Sequence, residues 1–258
     1  EDANIYDFSE NRECNLKIGG TDGNTIELWM KKDAYVSDQE YYEIIYDSHV
    51  TGTVRTEDTY GRFKFGLATT GTAGNSSDQA MFFEYVSGTT ATSGYIGSTT
   101  LTTASIADGN WHHYALRVKT EGSNTIFDLF VDGVHDSRET KSAEIGYVSG
   151  SIVANIGAAV FSQYDGSADR GARGWCPFSG SIDEFRFWKT WRTSEQIQLR
   201  WFDQVGGGTN SDDANTDLGL YYKFNEGITL TSSIDSTVLD YSGRISNGTW
   251  TGYDAEDS

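Results

Sequence analysis

Carboxylates, histidines, loop aromatics and two cysteines are the side chains of this chain that could do chemistry. Glu43 and Asp47 stand four residues apart in a strand-like run, and a strand places such positions on one face. Two carboxylates can hydrolyse a glycosidic bond when one serves as acid and the other as nucleophile or base. This pair has no third carboxylate at the matching step. His112 and His113 are adjacent, so a strand sends them to opposite faces, and with His49 and His135 they form no zinc-ligand spacing. The loop-like stretch 164–171 (YDGSADRG) offers Asp165 and Asp169, and calcium takes about six to eight oxygens from acidic loops of this kind. The alternative is that such loops are merely solvated. Trp175, Tyr164 and Tyr95 fall in loop-like segments and are the candidate sugar-stacking rings. Trp29, Trp111, Trp188, Trp191 and Trp201 fit core or helix-packing positions.

The elements that must hold these groups are short strands. Strand-like runs occupy 25–31 (TIELWMK), 42–47, 62–68, 79–86, 111–119, 125–132, 152–157 and 181–188 (SIDEFRFW). Phe63, Phe65 and Leu67 alternate onto one face, as do Phe127, Leu129 and Val131. Asp132-Gly133 between two such flanks signals a tight hairpin, because both central residues need positive φ. One short helix is expected where Thr193 and Gln196 form a capping box ahead of Ile197, Leu199 and Trp201. Residues 205–217 (VGGGTNSDDANTD) read as a linker, followed by a small β segment over 218–258.

Composition sets the class. The chain has 258 residues, enough for a full sandwich core, with 29 Gly, a single Pro and 14% aromatic residues. A formal net charge of -19 repels nucleic acid and anionic membranes, and is compatible with divalent cations. No apolar run is long enough to span a bilayer. The chain opens on Glu-Asp-Ala-Asn without an initiator Met, as a fragment or processed product would.

Three stretches together resemble the laminin G-like, pentraxin-like modules of the concanavalin A-like jelly rolls. They are 109–134 (GNWHHYALRVKTEGSNTIFDLFVDGV), 178–198 (FSGSIDEFRFWKTWRTSEQIQ), and 218–249 (LGLYYKFNEG with VLDYSGRISNGT). The last is similar to the opening strands of such a module, yet here it comes at the end. The resemblance implies an all-β, two-sheet antiparallel jelly-roll sandwich over 1–204. Residues 218–258 then either complete that domain by permutation or open a next repeat. The pairing of LGLYYKFNEG with VLDYSGRISNGTW also resembles large virion structural proteins of marine tailed phages.

The resemblance carries expectations about sites. Relatives often bind a structural calcium with the Asp that starts the final strand, which matches Asp183, together with first-strand groups near 7–10. It brings the segments of Cys14 and Cys176 together, making them a disulfide candidate in an oxidising environment. Laminarinase-type hydrolases of this fold carry an ExDxxE strand, which is absent here. The expected protein is therefore a non-enzymatic structural or adhesive module on a virion surface or outside the cell. Its partners would be glycans or neighbouring subunits, with Ca2+ as a structural ion. A lectin-like domain of a secreted bacterial protein is the alternative, and a glycoside hydrolase or lyase a third.

Overall fold

The computed structural model describes residues 15–35, 42–51, 57–68, 79–148, 150–159, 176–205, 217–226, 236–244 and 246–250. The strands, in chain order, begin with β1 (Asn24–Lys31), β2 (Glu43–Val50), β3 (Gly61–Leu67), β4 (Met81–Ser87) and β5 (Thr90–Ile96). After a single helical turn, α1 (Thr103–Ile106), come β6 (Trp111–Glu121), β7 (Asn124–Val131), β8 (Val134–Lys141) and β9 (Ile152–Ile156). β10 (Ser181–Trp188) leads into α2 (Ser194–Arg200), and the tail adds β11 (Leu218–Tyr222), β12 (Thr237–Val238) and β13 (Gly248–Thr249).

These strands build two antiparallel sheets. One has the order β11-β10-β1-β6-β7-β8, the other β5-β4-β3-β2-β9, and β12 pairs with β13 alone. The expected all-β sandwich is therefore what the chain forms. Alternation decides which side chains enter the core. Phe63, Phe65 and Leu67 of β3 point inward, as do Phe127 and Leu129 of β7. Phe83 stacks on Phe127 at 3.8 Å, and Tyr46 stacks on Phe185 at 5.6 Å, closing the space between the sheets.

The local signals act as their chemistry dictates. Asp132 (φ 48°) and Gly133 (φ 75°) make the β7–β8 hairpin. The Thr193 hydroxyl accepts from the Gln196 N–H while Gln196 returns the bond to the Thr193 N–H. The expectation of a single helix needs correcting: a second capping box, Thr102 with Ser105, starts α1. β11 lies beside β10, with Phe185 opposite Tyr222 and Phe187 opposite Leu220. Leu218 and Tyr221 are fully buried there and form a small cluster with Trp188. Among the described residues β8 is an edge strand of the six-stranded sheet.

Candidate functional site

The outer face of the five-stranded sheet gathers polar and aromatic side chains in rungs. Asn155, Asp47, Lys64, Glu84 and Ser93 lie opposite one another across all five strands. Two ion pairs fill the middle of this row and the next: Arg62 grips Asp47 through two bonds of 2.8 and 2.7 Å, and Lys64 meets Glu84 at 2.6 Å. All four side chains are buried. Burial, reinforced by nearby Arg62, lowers the Lys64 amine despite Glu84 and Asp47. Burial also takes His49 down to about 4, against the pull of Asp47, so its ring is neutral at pH 7.

A third rung is aromatic. Gly66, Phe82 and Tyr95 are register partners, and Tyr42, just before β2, lies over Phe82 at 4.0 Å between ring centroids. The Tyr42 and Tyr95 hydroxyls are 2.9 Å apart and both rings are half-buried. Gly66 makes this approach possible: a Cβ there would stand 2.7 Å from the Phe82 ring edge and 2.3 Å from the Glu43 carbonyl oxygen. Tyr95, the one sugar-stacking candidate within the described residues, is thus a strand residue paired with Tyr42, and not a loop residue. Tyr164 and Trp175 lie outside the described residues, as do Asp165 and Asp169.

Two readings of the sequence need correcting. Glu43 and Asp47 do not share a face, because a β-bulge falls between Ile44 and Tyr46. Ile45 and Tyr46 both enter the core, which reverses the alternation. Glu43 then faces Leu67 on the inner side, where its carboxylate accepts from Lys32 at 2.7 Å and from the Ser179 N–H at 3.0 Å. Trp111 is not a core residue but 43% exposed at the start of β6. The other four tryptophans assigned to packing are buried or half-buried.

Asp183 stands on the outer face of the other sheet, opposite Trp29. Its carboxylate accepts from the Glu184 N–H at 2.8 Å, and burial raises its pKa. Neighbouring Glu184 is tied to Tyr221, to Arg186 at 3.0 Å and to Gln204 at 3.1 Å. Among the described residues no group of three His, Cys, Asp or Glu side chains could hold a metal ion. The first-strand positions near 7–10 lie outside them. Cys176 is half-buried beside Ile44 and Phe82, and burial raises its thiol pKa. Cys14 lies outside the described residues.

A buried charge cluster that no local sequence pattern marks lies beneath α2. Glu27 lies 3.2 Å from Arg192 Nε, 3.7 Å from Arg186 Nη1 and 3.8 Å from His113 Nε2. Burial would raise its pKa, but Arg192, His113 and Arg186 together bring it down to about 2. Next to it, Asp128 accepts from Arg117 and Arg138, and the Arg117 guanidinium lies 4.1 Å from the Trp191 ring. His112 and His113 do point apart, as adjacent strand residues must. His112 bonds Asp132 at 2.7 Å, while His113 sits against Trp29.

Residues 13–198 match the family described as the concanavalin A-like lectin/glucanases superfamily. The chain belongs to this superfamily. Among solved structures, this concanavalin A-like chain is similar to the native heptameric SAP-like pentraxin from Limulus polyphemus. The TM-score is 0.44 at 14% identity over 71% of each chain. The Ruminococcus gnavus IT-sialidase CBM40 gives a TM-score of 0.40 at 15% identity, covering 75% of this chain and 90% of that one. The receptor binding domain of botulinum neurotoxin type G gives 0.38 at 9% identity, over 74% of this chain and 42% of that one. A search of the curated proteins found no match. No helix among the described residues is long and apolar enough to cross a membrane.

Proposed function

We propose that this concanavalin A-like chain is a non-enzymatic recognition module that binds glycans on the outer face of its five-stranded sheet. The observation that carries the reading is the half-buried Tyr42–Tyr95 pair, its hydroxyls 2.9 Å apart, with Tyr42 packed against Phe82 of β4. Such rings offer an apolar face to a pyranose and hydroxyls to its edge. The carboxylates on the same face are held by cations, Asp47 by Arg62 and Glu84 by Lys64. A general acid needs the opposite environment, one that keeps a carboxyl protonated near neutral pH. That favours binding over hydrolysis.

A glycan array of neutral and sialylated oligosaccharides tests the reading. Binding should appear, and Tyr42→Ala or Tyr95→Ala should each weaken it by about 1 kcal/mol, roughly five-fold. An array with no bound glycan, or release of reducing sugar from laminarin, carrageenan or alginate, would overturn it. The reading places the module on a virion surface or outside the cell, in contact with environmental glycans or neighbouring subunits. Capsid or tail genes beside the parent gene would support the virion setting, and a gene cluster of another kind would remove it. Calcium enters as a structural ion at one of the expected carboxylate positions, Asp183 or the Asp165 and Asp169 of the acidic loop. The melting midpoint should then rise at saturating calcium and fall back with chelator. An unchanged midpoint ends that part of the proposal.

A further inference from the structure

A second group of rings lies on the outer face of the other sheet, away from Tyr42 and Tyr95. Strand register sets Trp111, Lys31 and Ser181 side by side on β6, β1 and β10, and on the next same-face rung His113, Trp29 and Asp183. The Trp29 ring is 5.4 Å from Trp201, and Trp201 meets Phe202 edge-on at 5.6 Å. Trp111 is 43% and Phe202 63% exposed, so ring surface is open to solvent at this end of the sheet.

The polar groups of this patch have few partners among the described residues. Among the described residues, the Lys31 amine and the Ser181 hydroxyl make no hydrogen bond, and the Asp183 carboxylate accepts only the N–H of Glu184. Neighbouring strands lie about 4.8 Å apart and successive same-face residues about 6.8 Å apart. The patch from Trp111 to Asp183 therefore measures roughly 10 by 7 Å, the footprint of one or two pyranose rings. A flat ring at one corner of the patch, with an amine and a hydroxyl along its rung and a carboxylate at the far corner, offers both halves of sugar recognition: stacking for the C–H face, and acceptor and donors for the hydroxyls. The net charge of -19 disfavours an anionic ligand at long range and points to a neutral one.

We propose that Trp111, Lys31, Ser181 and Asp183 form a second glycan site, selective for a neutral pyranose, on the sheet opposite the Tyr42–Tyr95 face. Trp111 stacks the sugar ring, Asp183 accepts from one hydroxyl and Lys31 donates to its neighbour. The site requires no metal ion.

The test is an NMR titration of the full chain with cellotriose and, separately, mannotriose, each with and without chelator. At least one trisaccharide should shift the Trp111 indole N–H signal saturably, with the same affinity in chelator. Trp111→Ala should weaken that binding about ten-fold, Trp111→Phe should restore part of it, and Asp183→Asn should weaken it as well. Trp111 is exposed, so its variants are expected to keep the wild-type melting midpoint. The proposal falls if neither trisaccharide moves the Trp111 signal, or if Trp111→Ala and Asp183→Asn bind as the wild type does. It also falls if the signal changes only with protein concentration, which would make the patch a contact between copies. Ring signals of Tyr42 and Tyr95 report the other face separately, so one site can fail while the other stands.

Discussion

At the scale of single residues, Glu27 has the most at stake. It is buried with its carboxylate oxygens outside hydrogen-bond geometry, and its charge is balanced by Arg186, Arg192 and His113. Its folded pKa of about 2 lies below the ordinary 4.5, so the stability it contributes is present above about pH 4.5 and lost as pH falls toward 2. Over that window the loss amounts to roughly 3 kcal/mol. Urea unfolding of wild type and Glu27→Gln should differ most at pH 7, and the difference should shrink below pH 4.5. A difference constant with pH would show that the charge is not what matters. None of this cluster was legible in the sequence. Glu27 sits in an ordinary strand pattern, and its partners come from β6, β10 and the segment before α2. Tyr95 was legible as a ring able to stack on sugar, but Tyr42 was not. It looked like part of the apolar run that follows it, and only strand pairing brings the two hydroxyls together.

At the scale of elements, the chain's local punctuation predicted more than its apolar runs did. Asp132-Gly133 and the Thr193–Gln196 box act within a few residues, so they can be read directly. β5 (TATSGYI) escaped because it is an edge strand with a polar sequence and no apolar run, and β8 (VHDSRETK), equally polar, was implied only by the Asp132-Gly133 hairpin. The bulge in β2 escaped for the opposite reason: Ile44, Ile45 and Tyr46 are consecutive apolar residues, and nothing in them marks where alternation breaks. The β7–β8 hairpin also seats α2. Gly133 has φ 75°, and a Cβ there would stand 2.3 Å from Cδ1 of Trp201. Gly133→Ala should therefore cost about 1–3 kcal/mol in a denaturant titration, combining backbone strain with displacement of the Trp201 ring. A loss below about 0.5 kcal/mol would mean that the ring moves aside freely.

At the scale of the molecule, the sandwich followed from composition, strand spacing and the three resembling stretches, whereas the placement of the tail did not. β11 pairs with β10 on one side, bridges to Asp240 through Tyr222 on the other, and buries Leu218, Leu220 and Tyr221. Asp240 then fastens the following loop, accepting from the Tyr221 and Ser246 N–H groups and the Ser242 hydroxyl. Burying three such side chains contributes roughly 5 kcal/mol, so deleting 218–258 should lower the melting midpoint by roughly 10 °C or more. An unchanged midpoint would assign the tail to a separate unit.

The edge strand β8 has a consequence for how copies of this chain can live together. An open row of N–H and C=O groups is a template for a strand from another molecule. Along β8, however, His135, Asp136, Arg138, Glu139 and Lys141 put a charged or ionisable group at nearly every step. A foreign strand would have to strip water from these groups before it could dock. Charges at this edge therefore oppose edge-to-edge pairing between copies.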